Sequence, residues 1–186
     1  MKRNLLGKVL LGAVLVAGAA VAAGKESAPV PQTGADLIKS IRHEILMYPH
    51  YTLWDDITFR VVNGSVELDG AVSQPYKKAD LERIVQRVPG VSAVTNELKV
   101  LPLSSFDDRL RLQIARAIFS DPTLSRYAMG AVPSIHIIVE NGHVTLTGVV
   151  STAMEKQIAS MRAASSLSFG PVVNNLTIAN PPAKKS

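Results

Sequence analysis

The stretch ITFRVVNGSVELDGAV, residues 57–72, decides the fold. Two alternating apolar runs meet at Asn63-Gly64, a pair suited to a two-residue type I′ turn because both residues tolerate positive φ. Once the turn is placed, the register follows. Val61 lies opposite Val66, Phe59 opposite Leu68 and Ile57 opposite Gly70 on one face, with Arg60 opposite Glu67 on the other. Gly70 stands alone on the apolar face without a side chain. A glycine there predicts close approach by another element, here expected to be a helix backbone.

The same pattern returns 78 positions later. Residues 135–150 read IHIIVENGHVTLTGVV, so Val139 lies opposite Val144, Ile137 opposite Leu146 and Ile135 opposite Gly148. Turn, register and glycine all coincide, which marks an internal duplication.

Each hairpin sits in the same surroundings. Before the first, a helix is predicted from Asp36, its carboxylate capping the first turn and Leu37, Ile41 and Ile45 on one stripe. Tyr48-Pro49 ends it, since a residue before proline leaves helical geometry. After the hairpin, Pro75 opens a second helix with Leu81, Ile84, Val85 and Val88 on its buried face, ended by Pro89-Gly90. Residues 94–100 then alternate as a third strand. The second copy repeats this order. Residues 109–119 form a helix with Leu110, Ile114, Ala117 and Ile118 inward, followed by a longer loop over 120–134. After its hairpin comes a helix from Thr152, with Thr152 and Glu155 at capping-box spacing. Met154, Ile158 and Met161 are its predicted buried stripe, one position out of step with the first copy. Residues 172–178 are the third strand, with Asn174 falling on Asn96. The fold class is α+β: two tandem α-β-β-α-β modules, each a three-stranded mixed sheet covered by two helices.

The ends read differently from the modules. Residues 1–23 combine Lys2 and Arg3 with an uncharged apolar run and small residues near Ala22, the layout of a cleaved secretory signal peptide. No cysteine follows the run, so a lipoprotein anchor is not expected. Residues 24–35 form a Pro-rich linker, 36–101 the first domain, 108–179 the second, and 180–186 a disordered tail. Loss of Lys2, Arg3 and Lys8 takes the formal charge from +5 to +2. The basic balance is therefore leader and tail rather than a nucleic-acid footprint. With no cysteine anywhere, disulfides and thiolate metal sites are excluded.

On these residues the chain resembles the BON domain family of bacterial envelope proteins. The resemblance is carried by the α-β-β-α-β order and by the string Val66, Leu68, Gly70, Val72 with its repeat Val144, Leu146, Gly148, Val150. The closing Val-x-Asn-x-Leu strands add to it. It implies a periplasmic, non-enzymatic module that binds phospholipid surfaces and supports envelope integrity, often under osmotic stress. Gly70 and Gly148 carry over as structural glycines. In related two-module proteins the first helix of the second module contacts lipid, which maps onto residues 109–119.

The residues of that helix support the mapping independently. Leu112, Ala115 and Phe119 form a second apolar stripe opposite the core-facing one, with Arg109 and Arg116 on one side and Arg111 on the other. Apolar residues rimmed by arginine suit an anionic bilayer surface. The first module has Lys39 and Arg42 where the second has Leu112 and Ala115. Burial of Leu112 and Phe119 against the first module is the competing reading, and Arg126 and Tyr127 could join either surface. A second function class also stands: a protein–protein adaptor or chaperone-like module using a free sheet edge, with other envelope proteins as partners. Tyr48, Tyr51 and Trp54 are a candidate docking patch, although core packing suits Trp54 better. No catalytic constellation is visible. His43, His50, His136 and His143 lack convergent spacing, the last two on the expected outer face of the second hairpin. Asp55-Asp56 reads as a loop end, and Ser73 and Ser151 as helix caps, so no metal or cofactor is expected.

Overall fold

In the computed structural model, residues 34–130, 132–166 and 168–179 are described. The expected signal peptide, most of the linker and the tail lie outside them. The first hairpin comprises β1 (Asp56–Val62) and β2 (Ser65–Val72), the second β5 (Ile135–Glu140) and β6 (His143–Val150). Both have the predicted register, Phe59 opposite Leu68 and Ile137 opposite Leu146. Asn63 and Asn141 have φ of 50° and 51°, with Gly64 and Gly142 at 79° and 78°. That is the type I′ geometry the Asn-Gly pairs required.

The glycines opposite Ile57 and Ile135 serve a different purpose from the one expected. Gly70 has φ +117°, and a Cβ there would stand 2.1 Å from the Asp56 carbonyl oxygen. Gly148 has φ +109° and the same conflict with Ser134. The close neighbour is the backbone entering the partner strand, not a helix.

Four helices complete the modules: α1 (Gly34–Leu46), α2 (Pro75–Gln86), α3 (Ser105–Phe119) and α4 (Ala153–Ala164). α1 begins ahead of Asp36, which therefore lies in the first turn rather than at the cap. α3 begins at Ser105, earlier than expected, because the Ser104 side chain accepts from the Asp107 N–H. α4 has the full capping box of Thr152 and Glu155. Its buried face is a correction. Glu155, Ala159 and Ala163 point inward, whereas Met154 is 71% and Met161 57% exposed. These inward residues stand 78 positions after Lys77, Leu81 and Val85, the inward face of α2, so the copies are in step. Small alanines face a core already filled by Leu110, Ile114, Ile118, Ile137 and Leu146.

The third strand of each module is broken in two. β3 (Ala93–Asn96) and β4 (Lys99–Val100) both run parallel to β2, and β7 (Val173–Asn174) and β8 (Thr177–Ile178) both run parallel to β6. An asparagine makes the break. The Asn96 amide donates to the Lys78 carbonyl at 2.8 Å while its oxygen accepts from the Leu98 N–H. Asn174 does the same with Lys156 and Leu176. The Val-x-Asn-x-Leu signature is thus a strand-to-helix tie that turns Leu98 and Leu176 into the cores, each 1% exposed.

Candidate functional site

α3 is held from both ends of its own module. The Asp107 carboxylate, fully buried, accepts from the Asn141 and Gly142 N–H groups at 2.9 and 2.8 Å, fixing the helix start to the hairpin turn. Leu110, Ile114 and Ile118 enter the second core. Arg111, expected on the lipid-facing rim, is instead 5% exposed. Its guanidinium donates to the Val139 carbonyl at 2.8 Å and pairs with Asp108. It therefore caps the outer edge of β5 and leaves the candidate surface.

Phe119 is also displaced from its expected role. Together with Ala115 it packs, half-buried, against the second core. Outward on α3 stand Arg109, Leu112 and Arg116, spaced three and four residues apart, together with Asp108 and Gln113. Leu112 is 50% exposed and looks across a cleft at Trp54 of the first module. Neither Arg109 nor Arg116 has an acidic partner among the described residues.

Arg126 and Tyr127 belong to the start of α4. The Tyr127 hydroxyl donates to Glu155 at 3.0 Å and accepts from the Ser151 N–H at 2.8 Å. Arg126 pairs with Glu155 and lies over the Tyr127 ring, 4.9 Å from its centroid. Burial works to raise the Glu155 carboxyl, but hydrogen bonds from Tyr127 and Thr152 outweigh it and hold the group below its ordinary value. These two side chains support the helix cap.

The loop before β1 joins the modules. Asp55, fully buried, accepts from the Thr52 and Ser73 N–H groups and hydroxyls and pairs with Lys77 at 2.6 Å. Ser73 is thus part of this knot rather than a helix cap; α2 is preceded by Gln74, which makes no side-chain cap bond. Burial pushes the Asp55 carboxyl up, and the bonds from Lys77, Ser73 and Thr52 bring it below its ordinary value. The knot holds Leu53 and Trp54 against the second core. The Ile137 N–H donates to the Leu53 carbonyl at 2.8 Å. Tyr51 stacks on His136, with centroids 5.5 Å apart and planes 15° apart.

His136 was expected on an outer face, but the first module covers it to 9% exposure. Of the aromatic patch, Tyr48 lies in the first core, its hydroxyl on Asp80, Tyr51 packs against the first core while stacking on His136, and Trp54 packs against the second core. Among the described residues no group of three or more His, Asp or Glu could hold a metal ion. No described helix is long and apolar enough to cross a membrane.

The family model described as BON domain matches residues 35–102 and again 106–180. No curated protein matches the chain. Two solved structures of CdsD, a structural protein of the type III secretion system of Chlamydia trachomatis, are similar in part. Its C-terminal domain is 15% identical, with 80% of this chain and all of that one covered at a TM-score of 0.29. The other is 17% identical, with 78% and 94% covered at a TM-score of 0.27. At such scores the likeness says nothing of what the chain does.

Proposed function

The chain belongs to the BON domain family, twice over, and on that premise we propose that it is a periplasmic, non-enzymatic protein that binds anionic phospholipid surfaces through α3, supporting envelope integrity. BON domains are associated with membranes and phospholipids in periplasmic proteins and are generally without catalysis. One observation carries the assignment to α3: Leu112 stands half-exposed between two arginines that have no acid to satisfy them within the described residues. An apolar side chain flanked by uncompensated cations gains from an anionic interface twice, by insertion and by attraction. The set is Arg109, Leu112 and Arg116; Arg111, Phe119, Arg126 and Tyr127 hold the helix and its neighbours in place.

Vesicle co-sedimentation tests the reading. Binding should grow with the fraction of phosphatidylglycerol in phosphatidylcholine vesicles and fall as salt rises. At roughly 1 kcal/mol for each cation near the surface, Arg109→Ala with Arg116→Ala should weaken binding roughly thirtyfold. Leu112→Asp should weaken it as well without unfolding the module. Unchanged binding by either variant would place the lipid contact elsewhere.

A further inference from the structure

We propose that the outer edge of β1 is a docking site for an extended peptide of another polypeptide, one carrying an acidic residue between two apolar ones. The starting point is a difference between the two copies. In the second hairpin, Ile137 and Val139 turn their backbone groups away from β6, and one group of each is covered: the Ile137 N–H by the Leu53 carbonyl, the Val139 carbonyl by Arg111. By the 78-residue equivalence, Phe59 and Val61 turn theirs away from β2. Among the described residues no backbone hydrogen bond from either leaves the β1–β2 ladder. The residue at the place of Arg111 is Ile38, which has no group to cap a carbonyl. One sheet edge is partly covered and its copy is open, and an open row of N–H and C=O groups is a template for another strand.

Beside this edge runs a groove of about 670 Å³, with α1 as its other wall and Val149 of the second module also lining it. Along α1 it presents Ile38, Arg42 and Leu46. Successive residues four apart on a helix rise about 6 Å, and residues two apart on a strand about 6.6 Å. A strand added to β1 therefore sets alternate side chains nearly in step with apolar, cationic and apolar positions. Arg42 has no acidic partner among the described residues, whereas Arg60, which also lines the groove, is already paired with Glu67. Charge also argues against a second copy as occupant, since edge-to-edge pairing of two β1 strands brings the Arg42 side chains of both copies to one face. The mode is strand addition: backbone bonds supply affinity and the groove reads alternate side chains. The corresponding edge of the second module already takes one backbone bond from another segment, the turn at Leu53.

The test is amide exchange and chemical-shift mapping on the whole chain, with the capped peptide Thr-Val-Thr-Glu-Thr-Val-Thr as probe and its Glu-to-Lys version as control. Without peptide, the Phe59 and Val61 amides should exchange at least about tenfold faster than that of Ile137. The Glu peptide should shift and protect residues 57–61 and leave Ile137 unmoved. Arg42→Glu, an exposed change, should weaken the Glu peptide by about fivefold and reverse the preference toward the Lys peptide. Three results would overturn the proposal: no shift at 57–61 with millimolar Glu peptide, equal binding of both peptides, or concentration-dependent protection of Phe59 without peptide, which would make the edge a self-association site.

Discussion

The Ile137 N–H donates to the Leu53 carbonyl at 2.8 Å, so a loop of one module completes the sheet edge of the other. The two copies are thereby unequal partners: the first gives its loop and keeps an open edge, while the second accepts the loop on its edge. Trp54, the only tryptophan in the chain, follows Leu53 into the second core. Its fluorescence should report the unfolding of the second module, although the residue belongs to the first. Trp54→Ala should cost about 2 kcal/mol, less than a fully buried tryptophan because the ring is only half-buried. Urea unfolding followed by circular dichroism measures that loss. Faster amide exchange at Ile137 would tie it to the module contact.

Behind that loop stands the Asp55–Lys77 pair, both side chains at most 5% exposed. Removing one partner strands the other charge in the core. Lys77→Met alone should cost about 3–5 kcal/mol, the range for a broken buried pair. Joining Asp55→Leu to it should recover part of that loss, because no lone charge remains, although the Thr52 and Ser73 donors then go unmet. Denaturation midpoints of the two single variants and the double variant form the test. Equal losses for double and single variants would mean that hydrogen bonds, rather than the ion pair, dominate the knot.

Three arginines on one helix should behave differently. Arg111 is buried on the Val139 carbonyl, whereas Arg109 and Arg116 are exposed. Arg111→Ala should destabilise the second module by about 2 kcal/mol, losing a charge-assisted bond and leaving the edge carbonyl uncovered. Arg116→Ala should change stability by less than about 0.5 kcal/mol. Thermal unfolding of the two variants separates the structural cation from the surface one, and vesicle binding should show the opposite ranking.

What was legible in the residues divides along the same lines. The hairpins, their register and the duplication could be read because turn chemistry and two-residue alternation are local. Apolar periodicity points to the wrong face of α4 because Met154, Ile158 and Met161 are more apolar than Ala159 and Ala163, while the facing core is already filled and takes the small ones. The 78-residue offset, carried through α4, marks the inward face as Glu155, Ala159 and Ala163. Arg111 could not be told from Arg109, since its acceptor is a carbonyl 28 residues away. The burial of His136 is hidden from the sequence for a similar reason: the outer face of a lone hairpin becomes an interface when a neighbouring module covers it.

His136 gives the module contact a pH dependence. It is packed under Tyr51, with Asp55 and Asp56 from the first module the nearby carboxylates, and its Nδ1 is buried without a partner. Burial disfavours the imidazolium and lowers the pKa, and the pull of Asp56 only partly offsets this. The unfolded chain therefore takes up the proton first as pH falls. Stability is complete above the ordinary histidine value of about 6.5 and declines as pH drops from there toward the depressed folded value, at up to about 1.4 kcal/mol per pH unit. Asp56, whose own carboxyl is raised by burial, works in the opposite sense around and above the ordinary aspartate range, where falling pH relieves its buried charge. Asp55, held low, loses its contribution only in more acid solution. Melting temperatures at pH 7.5 and 5.5 should thus fall together with protection of the Ile137 amide. His136→Phe, which keeps the stack on Tyr51 without a titrating group, should flatten that dependence. A variant as pH-sensitive as the parent would assign the effect to the carboxylates instead.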